Sequence, residues 1–236
     1  MLDSKYNSLL KFTAICSILG AVTTALLIFL PNPPAASFEE RALLFDNSRY
    51  IMKLWILFIH PQVNLMASFG IAFLLFQKYP LRITVGMLFL FVWAITEITQ
   101  QALLIDALNQ MWRPGYVNAE TELDKGMYHT LLLAANGISD SKYFLVIYGF
   151  GLGSLMFGLA IIQEVKLGKA IGVALIFIGV LSLASFLRYY AGFSSLNSFA
   201  NLSYQYIYPY LQPAVRIGIG VWIYQQVIQR PDPTHT

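Results

Sequence analysis

The chain has 236 residues, of which 57% are hydrophobic and 11% are charged, and its formal net charge is +3. Soluble domains carry about a quarter charged residues, so this composition excludes an ordinary soluble domain and is typical of a membrane protein. The basic residues form no block, so we expect no nucleic-acid partner. The single cysteine, Cys16, cannot form an internal disulfide.

Six apolar runs are long enough to cross a bilayer, because about 20 helical residues span its hydrocarbon core. They lie at about 10–30, 51–76, 83–108, 141–163, 170–187 and 204–228. The sequence therefore predicts an all-α fold: one polytopic domain over residues 1–236, built as a bundle of six transmembrane helices surrounded by membrane lipid.

Two short surface helices are expected outside the spans. Ser37 followed three residues later by Glu40 has the spacing of a capping box, which predicts a helix from Phe38. Met127–Asn136 has a helical pattern. The run Asn136–Asp140 is typical of a turn followed by an N-cap. We therefore expect a separate helix there, before the fourth span.

Six spans place both termini on one side of the membrane. The short turns on that side carry Lys78, Arg82, Lys166 and Lys169 close to the helix ends, where the positive-inside rule applies best. The longer loops of the opposite side mix basic with acidic residues. The sequence thus predicts cytoplasmic termini in a bacterial inner (plasma) membrane.

Two charges lie well inside the predicted spans, the acid Glu97 and the base Arg216. A charge in hydrocarbon costs from ~3 to ~10 kcal/mol, so each needs a partner. With a rise of 1.5 Å per residue, His60, Glu97 and Arg216 lie about 14, 16 and 18 Å from the helix ends next to the longer loops. These ends are on one side of the membrane, so the three residues lie at similar depths. We therefore predict a buried Glu97–Arg216 ion pair, joined to His60 through amides or water.

Amide side chains lie one turn from each of these residues or beside them. The predicted polar cluster is His60, Asn64, Glu97, Gln100, Gln101, Gln212 and Arg216. Small and polar residues at helical spacing, such as Thr13, Ser17, Gly20 and Thr24, predict close helix packing.

Three interpretations of the cluster stay open. It fixes the register of the helices as a structural network; it lines a cavity that binds a ligand; or it serves catalysis or a haem or metal. Pro61, Pro209 and Pro213 fall in the halves of their helices that are nearer the longer loops, where kinks would open a vestibule. His60 and His129 lack the spacing of metal ligands, so we predict no catalytic residue, metal site or cofactor.

Three segments carry a resemblance to known proteins: the third span with Glu97 at its centre, the small-rich run Tyr148–Ser154, and Leu211–Arg216. In this layout the chain resembles a family of uncharacterised multi-pass bacterial membrane proteins that is classed as a domain of unknown function. The resemblance covers most of the chain. It implies a six-helix membrane fold and a location, but no activity.

The functional hypotheses follow from these interpretations. The first is a protein that binds or transports a small or amphipathic molecule. The second is a structural or assembly subunit that has a membrane-protein partner. The third is a membrane-embedded haem or metal protein. An enzyme is the least favoured class.

Overall fold

The computed structural model describes residues 4–228, and every regular element in that range is helical. The all-α prediction is therefore confirmed for these residues; the predicted domain also includes 1–3 and 229–236, which lie outside them. The long helices are α1 (Ser4–Phe29), α3 (Ser48–Leu75), α4 (Pro80–Leu103), α6 (Glu122–Ile161), α7 (Leu167–Tyr190) and α9 (Tyr208–Ile228). The short helices are α2 (Phe38–Ala42), α5 (Arg113–Val117) and α8 (Asn197–Leu202). The π-helical stretches Leu104–Trp112 and Ser203–Ile207 join α4 to α5 and α8 to α9.

Five helical stretches are long and apolar enough to cross a membrane: Tyr6–Phe29, Ser48–Leu75, Pro80–Val117, Glu122–Ile161 and Leu167–Tyr190. They coincide with the first five predicted spans. The sixth predicted span corresponds to α9, which is not among the five, so a count of six stays a prediction. The protein is an all-helical membrane protein by the length and composition of these helices.

The first predicted surface helix is confirmed, and its start follows from the sequence. Ser37 Oγ accepts a hydrogen bond from the Glu40 backbone N–H at 3.0 Å, and Glu40 Oε2 accepts one from the Ser37 N–H at 3.2 Å. These reciprocal bonds satisfy two of the backbone donors that a helix start leaves free.

The second predicted surface helix is wrong, because it is continuous with the fourth span. α6 begins at Glu122, after an N-cap at Thr121, and runs for 40 residues without a turn at 136–140. Leu132 and Ala135 pack against Leu108 in a small apolar core, which holds this part of α6 helical. A glycine inside a helix costs only about 1 kcal/mol, so tertiary contacts override Gly137.

The six long helices form a closed ring. In the order of contact the ring runs α1, α3, α4, α6, α7 and α9, and α9 packs against α1 again. α9 is antiparallel to α1, because Ser17 donates to the Arg216 carbonyl at 2.6 Å while the rings of Phe29 and Tyr210 lie 5.9 Å apart. Because three steps around this ring of six separate α4 from α9, the two helices occupy opposite positions.

Glycines bring α4, α6 and α7 into backbone contact. A Cβ atom on Gly158 would lie 2.7 Å from the Ile176 nitrogen and 2.9 Å from the Gly172 oxygen. A Cβ atom on Gly149 would lie 2.8 Å from the Phe89 oxygen. Such close approaches are typical of membrane helix interfaces, where van der Waals contact replaces the hydrophobic effect.

The replacement Gly158→Ala tests this packing. We expect it to destabilise the protein by about 1–3 kcal/mol, because the added methyl group must push α7 away. The matched control is Gly137→Ala in the same helix, where the new Cβ meets nothing within 4 Å. The control should be neutral or stabilising, because alanine favours the helix. Thermal unfolding in detergent measures both, and equal melting temperatures would contradict the packing described.

Candidate functional site

A cavity of about 430 Å³ lies inside the ring and has lining residues from each of the six long helices. This main cavity falls in the size range of ordinary ligand sites, about 300–1,000 Å³. Its lining is mostly apolar and aromatic, with a few polar groups. The lining residues are Thr24, Leu27, Ile28, Leu57, His60, Trp93, Glu97, Tyr143, Val146, Ile147, Phe150, Ser182, Tyr204, Tyr208 and Gln212.

Glu97 provides the single charged side chain among the described residues that line the main cavity. It lies on α4 one turn after Trp93, so the carboxylate and the indole share a face of that helix. The Trp93 ring packs edge-on against His60, with ring centroids 6.1 Å apart. The carboxylate is therefore surrounded by aromatic side chains rather than by cations.

The side chain that accepts a hydrogen bond from Arg216 lies on α3 and not on α4. Its Nη1 donates a hydrogen bond to Asn64 Oδ1, and the Asn64 Nδ2 donates to the His60 carbonyl at 2.7 Å. Ser68 donates to the Asn64 carbonyl at 2.9 Å, and His60 Nδ1 lies 2.9 Å from the Thr23 hydroxyl oxygen. This network joins α1, α3 and α9 through side chains that are largely buried.

The predicted direct ion pair between Glu97 and Arg216 is wrong. Within residues 4–228 the one ion pair joins Lys78 to Glu164, near the turns at the other end of the bundle. α4 and α9 face each other across the ring rather than packing side by side. Asn64 on α3, rather than Glu97 on α4, accepts a hydrogen bond from the guanidinium.

Gly20 makes the Asn64–Arg216 contact feasible. A Cβ atom at this position of α1 would overlap the Asn64 Oδ1 atom and would lie 3.6 Å from Arg216 Cδ. The small and polar stripe of α1 thus has a second role beside packing. Sequence reasoning found the stripe but did not connect it to the polar cluster.

A smaller inner cavity of about 50 Å³ lies next to the main one. Its polar lining includes Asn64, Gln212 and Arg216, and it shares Trp93, Phe150 and Gln212 with the main cavity. Within the described part of the chain, the buried Arg216 Nε atom has no hydrogen-bond partner. The guanidinium that lines the inner cavity is therefore only partly satisfied by hydrogen bonds to the described residues.

An outer cavity of about 600 Å³ continues the main one toward the end of the bundle where α7 ends. It shares Tyr143, Ile147 and Tyr204 with the main cavity. Arg188 lines it, donates to Asn201 Oδ1 at 2.5 Å and lies 4.5 Å from the centroid of the Tyr189 ring. The shared residues show that the three cavities are neighbours, with Arg188 beside the outer one, Glu97 beside the main one and Arg216 beside the inner one.

The structure divides the predicted cluster. His60, Glu97 and Gln212 line the main cavity, whereas Asn64, Gln212 and Arg216 line the inner one. Gln101 is buried one turn beyond Glu97 and Gln100 is half-buried, and neither is among the lining residues. The aromatic lining, including Trp93, Tyr143 and Tyr208, was missed because aromatic residues are frequent in every span.

The two histidines considered for a haem or metal lie in different parts of the protein. His60 is in the ring, whereas the His129 ring packs on Phe38 at 4.4 Å, beside the small apolar core of α2, α5 and α6. Across residues 4–228, no three His, Cys, Asp or Glu side chains lie together in a group that could hold a metal ion.

The replacement Asn64→Leu tests the network. It removes the acceptor of the Arg216 guanidinium, so we expect a loss of about 1–3 kcal/mol of stability, the usual penalty for an unsatisfied buried group. Asn64→Asp keeps an acceptor at this position, so it should retain most of the stability that Asn64→Leu loses. The control Gln62→Leu lies on the same helix, and Gln62 donates only to the Phe58 carbonyl of its own helix. Thermal unfolding in detergent is the measurement, and a stable Asn64→Leu variant would contradict the role of Asn64.

Compared with known proteins, the chain matches no family model, no curated protein and no solved structure at a significant level. The resemblance in layout therefore remains an expectation, and the function has to be argued from the geometry of the cavities.

Proposed function

We propose that the protein binds, and carries within the membrane, a small amphipathic molecule held in the main cavity. The observation that carries this proposal is Glu97: a carboxylate in a cavity of about 430 Å³ with aromatic walls, and no basic side chain of residues 4–228 forms an ion pair with it. A charged side chain inside a membrane protein is costly, and it usually marks a pathway or a ligand site.

A purely structural network is the weaker interpretation. Such a network stabilises a bundle when its polar groups are all satisfied and its centre is filled. The hydrogen bonds from Arg216 to Asn64 meet that description in part, but Glu97 lies across an open space from them. The network explains how α1, α3 and α9 pack, and it leaves the carboxylate without a structural task.

The hypothesis of an assembly subunit also loses support. It assumes that small-residue faces are free to pack against a partner protein. Gly149 and Gly158 instead contact α4 and α7, and a Cβ atom on Gly220 would lie 2.9 Å from the Ala14 oxygen of α1. These faces are occupied within the chain itself, so they offer no surface to a partner.

The proposal includes α9 as a sixth span. Its position supports this, because α9 lies antiparallel to α1 and a Cβ atom on Gly218 would lie 3.3 Å from the Ile171 side chain of α7. It therefore runs at the same depth as two helices that are apolar enough to cross. Its lower apolarity follows in part from Gln212 and Arg216, which line the inner cavity.

Both termini then lie on one side, which we propose is the cytoplasm of a bacterial cell. The turns on that side carry the exposed Lys78 as well as Arg82. On the other side Arg113 is buried, donates to Asn109 Oδ1 at 2.6 Å and lies 4.9 Å from the centre of the Tyr50 ring. Arg113 thus adds little to the positive surface there, which strengthens the asymmetry on which the positive-inside rule depends.

Cysteine labelling tests whether water reaches the main cavity. In a Cys16→Ser background in proteoliposomes, we expect Ser182→Cys to react with a small charged methanethiosulfonate reagent, because Ser182 lines that cavity. The matched control is Ala184→Cys, two residues further along α7, which is buried and is not among the lining residues. Equal labelling of the two cysteines, or no labelling of Ser182→Cys, would contradict the proposed function.

A second labelling series in cells tests the sixth span. With a membrane-impermeant maleimide, Ser194→Cys should react from outside, because it follows α7. Val165→Cys, in the turn before α7, and Thr234→Cys, beyond α9, should react only after the membrane is opened. Reaction of Thr234→Cys from outside would show that α9 does not cross.

A further inference from the structure

The main cavity has the features of a site for a cation. Glu97 supplies a carboxylate, and Trp93, Tyr143 and Tyr208 are among the aromatic side chains around it. Aromatic faces attract ammonium groups through their quadrupole, most strongly where water is excluded. Pro61 lacks an N–H group, so the Leu57 carbonyl loses its helical donor, and Leu57 lines the same cavity.

The inner cavity has the opposite character. Arg216 lines it, and one of its nitrogens binds Asn64 while the buried Nε atom has no partner. Of the described residues that line this cavity, none is acidic. A buried guanidinium donor without an acceptor costs free energy, and a carboxylate or phosphate is its best partner.

Glu97 and Arg216 form no ion pair with each other, so a ligand with one charge can pair directly with only one of them. A simple cation in the main cavity would pair with Glu97 and leave Arg216 unneutralised in the bundle. A simple anion would pair with Arg216 and leave Glu97. Uncompensated charges are costly in a low-dielectric interior, so a molecule that carries both charges is favoured over either.

We infer that the site takes a zwitterion with an apolar body, such as an aromatic α-amino acid. Its ammonium group binds between Glu97 and the aromatic wall, and its anionic group points toward Arg216. Trp93, Phe150 and Gln212 line both cavities, so the zwitterion would bind next to these three side chains. Leu27, Ile28 and Val146 in the main cavity contact the apolar body. This inference rests on the proposed function, because it names the ligand class of the same cavity.

Three probes that share a phenylethyl body and differ in their charged groups test the inference. Phenylalanine is a zwitterion at neutral pH, phenethylamine carries only the ammonium group, and 3-phenylpropanoate carries only the carboxylate. Titration calorimetry with the full chain in detergent measures their affinities. We expect phenylalanine to bind at least about tenfold more tightly than the other two, which corresponds to about 1.4 kcal/mol.

Two variants assign the charges. Glu97→Gln should reduce phenylalanine affinity about tenfold or more and abolish its advantage over 3-phenylpropanoate. Arg216→Lys keeps the positive charge but loses Nε and the planar donor set, so phenylalanine should lose its advantage over phenethylamine. The control Glu164→Gln makes the same chemical change in the exposed pair with Lys78 and should leave every affinity unchanged.

The outcomes separate the inference from the proposed function. If Ser182→Cys is labelled but phenylalanine does not bind at millimolar concentrations, the cavity exists and the zwitterion inference is overturned. The same holds if all three probes bind equally, or if Glu97→Gln leaves phenylalanine binding unchanged. If Ser182→Cys is not labelled, the proposed function itself fails.

Discussion

The hydrogen bond from Arg216 to Asn64 is the contact on which the rest of the arrangement depends. A guanidinium inside a membrane bundle must be satisfied by protein groups, because lipid offers none. Asn64 meets this need from α3, and Gly20 on α1 leaves the space for it. The contact thereby connects α3 with α9 beside α1 and contributes to closing the ring around the cavities.

Closing the ring in this order also separates the two buried charges. Because α4 stands opposite α9, Glu97 faces the interior without reaching the guanidinium. A direct ion pair would have filled the centre and left a structural core. Without that pair, a carboxylate lines the main cavity and a guanidinium that is only partly hydrogen-bonded lines the inner one. The order of the helices thus prevents a direct ion pair and leaves polar groups beside the cavities.

Different interactions hold the helices together within each half of the ring. α4, α6 and α7 approach through glycines such as Gly149 and Gly158, so their contact is one of close van der Waals packing. α1, α3 and α9 add hydrogen bonds between buried side chains, among them the bond from Ser17 to the Arg216 carbonyl. The cavities lie between these halves, where neither kind of contact fills the space.

The sequence by itself determined the helical class, the five strongly apolar helices and the capping box at Ser37, because these depend on local composition and spacing. It also predicted His60, Glu97 and Arg216 at similar depths, since the helical rise fixes distance along a helix. Only the tertiary structure decided that Arg216 binds Asn64 and that α6 continues through Gly137. Helical periodicity shows which face of a helix is polar, but the order of the helices around the ring decides which faces meet.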